Sequence, residues 1–393
     1  MGIARGSNII KDGLIYGYDS GYGVSNNATS TRFYPGEPTT NVTPLTSFFN
    51  LSNWTGGGWS GSAAYSSTYD NALEFTVTNG WRTFAIDHGI TSGGTVSVSF
   101  EYRLKSQQTA NIYGLVLNGL NLGNYHNNVG NISNADLEDS LANGWKSYTG
   151  SFTANNNTYG SKLAIGLRGT DNGGLTDVLI IRKLQVEQKS HSTPYTETSR
   201  GNTGGLIDLK RTRDITLANM SFDSTGQPTF DGTDDKISTG ITTQLNAFSC
   251  VAVFKDGGSA TWGRIVDKSY TTGFFISSRW NGNASHVGAG VREPNAPHGQ
   301  HLSYDNTKYN YFAVTRDGAN HDIYLNGSSN TASKTNGDSS TLSSTEMTIG
   351  AWYDNRSSQR YTGEIPVVKL YNKKLSAAEI EQDFKAYKNR FNL

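Results

Sequence analysis

The sequence predicts an all-β protein of two antiparallel β-sandwich (jelly-roll) domains, one inserted in the other, closed by a short C-terminal helix. Three observations carry this. The chain has 45 glycines but only 8 prolines among many Ser, Thr, Asn and Tyr residues, a composition of short strands joined by tight turns. Its apolar residues alternate in period two over most of the length. Only the C-terminus has a clear helical period: Ile380, Phe384, Tyr387 and Phe391 recur on one face after Ser376 and Glu379, whose S-x-x-E spacing is that of a capping box.

Taken in order, Leu14 to Tyr18 opens the chain as a strand. In the first half, period-two runs cover Leu73 to Thr78, Gly94 to Leu104, Ile112 to Leu117, Trp145 to Thr153, Lys162 to Leu167 and Asp177 to Val186. Trp145 begins its strand in a core-like pattern and is expected to be buried. In the second half, Phe230 to Ile237 is a turn feeding a strand, and Ala247 to Lys255 is a buried strand carrying the only cysteine, Cys250, as a small hydrophobe. Shorter strands are expected over Gly263 to Lys268, Gly273 to Arg279 and His286 to Arg292. Tyr309 to Arg316 and His321 to Gly327 read as a hairpin around Asp317-Gly318, a type I′ signal. Glu346 to Trp352 and Gly363 to Tyr371 complete the set.

Lys plus Arg and Asp plus Glu both number 33, with no long run of one sign, which argues against nucleic acid as a partner. No apolar run is long enough to span a bilayer, and Met1 to Ser7 lacks a charged-then-apolar signal segment. The expectation is synthesis in a cytosol, without membrane insertion.

Three phrases of the second half, in order, resemble the laminin-G-like, concanavalin A-like family: Phe230 to Asp235, Tyr311 to Gly327, and Tyr361 to Ile380. Asp12 to Asp19 is similar to the opening strand of the same family. Between these, the phrases Asn53-Trp-Thr55, Gly144-Trp to Thr153, Leu184-Gln-Val-Glu187 and Ser192-Thr-Pro-Tyr195 resemble carbohydrate-binding-module-like jelly rolls of bacteriophage appendages. The implied organisation is residues 1–40 plus 198–393 as a laminin-G-like domain, with residues 41–197 inserted into it.

The resemblance implies a structural appendage protein of a bacteriophage virion, as fibre, tail or capsid decoration, that binds glycans or the host surface. A bacterial lectin or adhesin and a polysaccharide-degrading enzyme are the alternatives. Expected partners are other virion proteins through the mildly basic Met1 to Lys11 arm, host or environmental glycans, and further copies of the chain. Sugar faces stack on rings flanked by polar groups. The candidates are Trp54, Trp59, Trp81, Tyr113 and Tyr125 in the insert, and Trp280, Trp352 and Tyr353 outside it.

No catalytic residue is assigned. Concanavalin A-like glucanases place paired acids on one strand as E-x-D-x-E, and this sequence has no such strand. Asp231, Asp234 and Asp235 lie in a turn, where Asp supplies local backbone hydrogen bonds. His298 and His301 form a loop pair without a third ligand. No cofactor is required; calcium is implied by the resemblance, with Asp223 and Asp354 as its candidate ligands.

Overall fold

The computed structural model describes residues 9–20, 37–53, 55–90, 94–106, 112–119, 128–153, 162–169, 176–203, 205–223, 226–258, 261–269, 271–291, 299–335, 339–354 and 358–393. The chain folds into two compact units, Met1–Pro38 with Gly201–Leu393, and Thr39–Arg200.

The first unit has two antiparallel sheets. One runs in the order Ser221–Phe222, Pro228–Asp231, Thr362–Tyr371, Ala247–Asp256, Asn310–Asp317, Asn320–Leu325 and Thr331–Lys334, and the opening strand Leu14–Asp19 pairs with Thr362–Tyr371. The other runs Thr216–Ala218, Lys236–Ser238, Thr348–Ile349, Arg264–Asp267, Phe274–Ser278, His286–Val291 and Gln300–Ser303. The inner faces meet in a core that includes Phe248, Cys250, Phe254, Ile265, Ile276, Val314 and Leu370.

The first sheet is buried on its other face as well. Val251, Val253, Tyr311 and Val367 pack there against Ile380, Phe384, Tyr387 and Phe391 of the terminal helix Ala377–Phe391. This is why Ala247–Asp256 and Asn310–Asp317 are almost wholly buried where a one-faced strand would alternate. The helix begins with the expected capping box, Ser376 and Glu379 each satisfying the other's backbone amide.

Two local expectations need correction. The hairpin after Asn310–Asp317 turns one residue later than its sequence signal, because Asp317 already pairs with Asn320. The turn residues are Gly318 and Ala319, and only Gly318 takes positive φ (59°), the pattern of a type II′ turn with glycine first. In place of a strand over Glu346 to Trp352, only Thr348–Ile349 is extended.

The Thr39–Arg200 unit is built on an eight-stranded antiparallel sheet: Asn128–Ile132, Ile112–Gly119, Lys162–Gly169, Ala72–Asp87, Thr176–Glu187, Thr95–Ser106 and Lys146–Thr153, with Thr55–Tyr65 added on Ala72–Asp87, and its two ends pair as the short strands Thr39–Thr40 and Ser199–Arg200. Ala72–Asp87 does not stop at Thr78. It continues through Asn79-Gly80, pairing first with Thr176–Glu187 and then with Lys162–Gly169. The strand bends on the way. Phe75 and Phe84 have ring centroids 4.8 Å apart, whereas nine extended residues would separate them by about 30 Å. The sheet thus curls over a single core that holds both rings with Val98, Leu163, Leu179 and Ile181.

The phrase from Leu184 to Tyr195 owes its composition to closure of this unit. Asn41 donates to the carbonyls of Leu184 and Thr196 and accepts from the amides of Thr43 and Val186. Gln185 and Glu187 are buried and both bond Thr193; Glu187 also accepts from Thr39 Oγ1 at 2.6 Å. A buried polar network whose groups are all paired specifies one arrangement of the chain ends.

A helix that the sequence reading missed, Asn134–Asn143, also belongs to this unit. Ser133 caps it through the amide of Asp136, Leu137 enters the core, and Ser140 Oγ accepts from the amide of Leu104. Its short apolar face lies among acidic residues, which hid the period.

Candidate functional site

The ring residues singled out from the sequence divide into two groups. Trp54 and Tyr125 lie outside the described residues, as do the side chains of Trp59, Trp81 and Tyr113, whose backbones are in strands. In the other unit, Trp280 is 1 % exposed and Trp352 5 % exposed, so neither offers a face to a sugar. Tyr353 is half-buried in the turn after Trp352, and its amide donates to Asp267.

The burial of Trp280 has a definite cause. Along His286–Val291, Val287, Ala289 and Val291 point into the core, leaving Gly288 and Gly290 on the outer face. A Cβ at Gly288 or Gly299 would come within 2.5 Å of the Trp280 ring, and one at Gly290 within 2.4 Å of Phe275. The missing side chains form a trough in which both rings lie, stacked at 5.6 Å and 12°. Arg264 stands over Phe275 at 3.9 Å and over Trp352 at 4.4 Å. At the other end His301 stacks on Trp280, with His286 4.7 Å from it. His301 is exposed, and partial burial followed by the neighbouring His286 lowers its pKa. His298 lies outside the described residues.

The acidic candidates are engaged locally. Asp231, Asp234 and Asp235 bring carboxylate oxygens within 4.8 Å of one another. Asp235 Oδ2 accepts from the amide of Asp231, and Asp231 Oδ1 from that of Thr233, the turn role that their spacing predicts. Burial first, and then the neighbouring carboxylates, push the Asp235 pKa up to about 6. Asp223 Oδ1 accepts from the amide of Gln227 at 2.8 Å, inside a hairpin. Asp354 is exposed in a turn.

Among the described residues of the Thr39–Arg200 unit, the best-formed ring site is one that the sequence reading assigned to the core. Trp145 is half-buried, not buried. The Arg182 guanidinium lies over it at 4.0 Å, and Tyr69 meets it edge-on at 5.2 Å. Arg103 Nη1 donates to Tyr69 Oη at 2.8 Å. Glu101 completes the group, accepting from Arg182 at 2.6 Å and Lys183 at 2.8 Å.

A β-bulge makes this possible. Arg182 pairs with Glu101, but the next partners are Gln185 and Ser99, so two residues oppose one. Lys183 takes positive φ (53°) there, and two successive cations reach the same carboxylate. Burial pushes the Glu101 carboxyl up, but the hydrogen bonds from Lys183 and Arg182 outweigh it and hold the group below its usual range. The sequence signal was the pair Arg182-Lys183, which interrupts the apolar run from Val178 to Leu184. The result is a fixed, half-exposed indole ringed by donors and one acceptor.

Residues 230–381 match the family model described as the concanavalin A-like lectin/glucanases superfamily. The first unit thus has a laminin G-type, concanavalin A-like fold. Among solved structures, the binding domain of botulinum neurotoxin serotype D is similar at 14% identity and TM-score 0.35, over 47% of this chain and 50% of that one. The CBM40 of Ruminococcus gnavus IT-sialidase, bound to α2,6 sialyllactose, is similar at 15% identity and TM-score 0.29, over 36% of this chain and 84% of that one. A mutant Trypanosoma rangeli sialidase displaying trans-sialidase activity is similar at 15% identity and TM-score 0.37, over 49% and 32%. The chain spans about half the length of the neurotoxin domain. No curated protein matches the sequence. Among the described residues, no helix is long and apolar enough to cross a membrane.

Proposed function

We propose that this protein is a non-enzymatic, glycan-binding structural component of a bacteriophage particle, and that the face around Trp145 makes the sugar contact. The observation that carries the reading is the arrangement of Trp145 between Arg182 and Tyr69, beside Glu101. A ring supplies the apolar face on which a pyranose stacks, while charged neighbours supply donors and an acceptor for its hydroxyls. Because these side chains already hold one another, little conformational freedom is lost on binding. The lectin-type fold of the other unit and the phage-appendage resemblance of residues 41–197 support the same reading.

Single protein–sugar contacts are weak, and presentation of many copies raises avidity by roughly 10²–10⁴. The isolated chain is therefore expected to bind host cells feebly, and beads carrying many copies to bind them clearly. Trp145→Ala beads should lose this attachment. Tyr65→Ala, which removes a ring 58% exposed outside the Trp145 cluster, should keep it. Full attachment by Trp145→Ala beads would remove the site. No attachment by wild-type beads to cells or their polysaccharide would turn the reading toward a cement or decoration role.

The protein is also expected to release no reducing ends from a polysaccharide panel. Turnover that vanishes in Asp231→Asn or Asp235→Asn would make it an enzyme.

A further inference from the structure

Beneath the terminal helix lies a pair of ionisable groups that glycan binding does not use. Lys369, on the strand Thr362–Tyr371, and Asp383, on the helix, are both 0 % exposed. Lys369 Nζ bonds both carboxylate oxygens, at 2.5 Å to Oδ2. Around them stand Tyr311, Tyr371, Phe384 and Tyr387, with Nζ 4.5 Å from the Tyr387 ring centre. Tyr311 Oη donates to Asp383 Oδ2 at 3.1 Å, and the amide of Ile10 lies 3.5 Å from Oδ1. Gly17 is paired opposite Lys369, and a Cβ there would come 3.0 Å from the Lys369 stem, so glycine makes room for it.

We propose that Lys369 and Asp383 join in an intramolecular isopeptide bond, a covalent tie between the sheet and the terminal helix. Two charges buried in an apolar site are costly to keep. Transfer of a proton from the ammonium to the carboxylate removes both and leaves an amine beside a carboxylic acid, the two reacting forms. Burial, opposed by Asp383 itself, lowers the Lys369 pKa and favours that transfer. Nζ then bonds to Cγ, one Cγ–O bond breaks, and that oxygen leaves as water with two of the three ammonium protons. The Tyr311 hydroxyl is placed to hold the negative charge that develops on the retained oxygen. Fixed proximity replaces a bimolecular encounter, and the burial that drives the reaction also keeps water from reversing it.

Mass spectrometry of the full-length wild-type protein tests this. The denatured chain should be lighter than its sequence by one water. Trypsin should yield a branched peptide joining residues 361–373, uncut at Lys369, to residues 375–385. Lys369→Arg keeps the positive charge but cannot form the amide; it should have the full mass of its own sequence, be cut at position 369, and release residues 361–369, 370–373 and 375–385 as separate peptides. Wild-type protein of full mass after prolonged incubation in the folded state would overturn the proposal. So would a water lost at an Asp-Gly sequence such as Asp317-Gly318, with residues 361–373 and 375–385 unlinked, or a branched peptide surviving in Lys369→Arg. Because the wild-type measurement decides alone, a variant that fails to fold does not rescue the idea.

Discussion

Arg264→Ala is expected to destabilise the unit that contains it by about 3–5 kcal/mol, the usual consequence of stranding one member of a buried ion pair. Arg264 is enclosed by Phe275 and Trp352, its Nε is 3.2 Å from Asp267 Oδ2, and its Nη1 donates to Ser277 at 2.7 Å. Asp267 is fully buried, and Oδ1 already takes the amides of Ser269 and Tyr353. Without the guanidinium its charge has no counterpart. Protection of amides in Arg264–Asp267 and Phe274–Ser278 against hydrogen exchange would register the loss locally. Replacing both members, as in Arg264→Met with Asp267→Leu, should restore much of it, because apolar groups of similar volume avoid the desolvation cost. A double variant as unstable as Arg264→Ala would show that the ring contacts of Arg264, not its charge, hold the site.

The same pair has a pH signature. Burial, offset by Arg264, raises the Asp267 pKa from 3.8 to about 6. The folded protein thus keeps this proton where the unfolded chain has released it. The stability so contributed is full below about pH 4 and lost as pH rises through about 6. Asp235 acts in the same direction. His321 opposes both: burial lowers its pKa to about 4, so its contribution is full above 6.5 and lost on acidification. Asp267→Asn isolates the carboxyl. Wild type should lose stability relative to this variant between about pH 4 and 6; a constant difference would mean that Asp267 stays ionised throughout.

What was legible in the sequence is what local physics decides. Ser376 and Glu379 cap the terminal helix, and Ile380, Phe384, Tyr387 and Phe391 bury one face of it, as their spacing requires. Cys250 is in the core, where alternation put it. The errors came where a second layer decides exposure. Trp280 and Trp352 lie near loops among small polar residues, an environment that reads as solvent-facing. The burial of Trp280 depends on glycines that come under it only after Phe274–Ser278, His286–Val291 and Gln300–Ser303 have paired, and Trp352 is covered by Arg264 from another strand. A signal was present in His286-Val-Gly-Ala-Gly-Val291, whose glycines alternate with apolar residues and so leave the outer face bare. Trp145 failed the opposite way. Period two placed it on a strand, but what half-covers it is Arg182, displaced by a bulge that alternation does not reveal.

Trp280→Ala is expected to cost about 3–5 kcal/mol, the range for removing a buried large aromatic ring. The ring fills a trough floored by Gly288 and Gly299 and walled by Phe275 and Trp262, and the floor cannot collapse into the space, since Gly288 is backbone in a paired strand and Gly299 directly precedes the strand paired with it. Gly288→Ala attacks the same contact from below. Its new methyl would meet the Trp280 ring at 2.5 Å and the Gln300 carbonyl at 2.4 Å, so about 1–3 kcal/mol of overpacking follows. The two substitutions share the ring and should couple. In a Trp280→Ala background the methyl loses its clash with the indole but keeps the one with Gln300, so Gly288→Ala should cost less there, though not nothing. These values also decide between two uses of the residue. An exposed sugar platform would lose attachment on truncation while its melting temperature held, whereas a buried ring loses stability first. If Trp280→Ala melts like wild type and beads carrying it no longer attach to cells, Trp280 returns to the glycan-binding surface and the trough is not closed in solution.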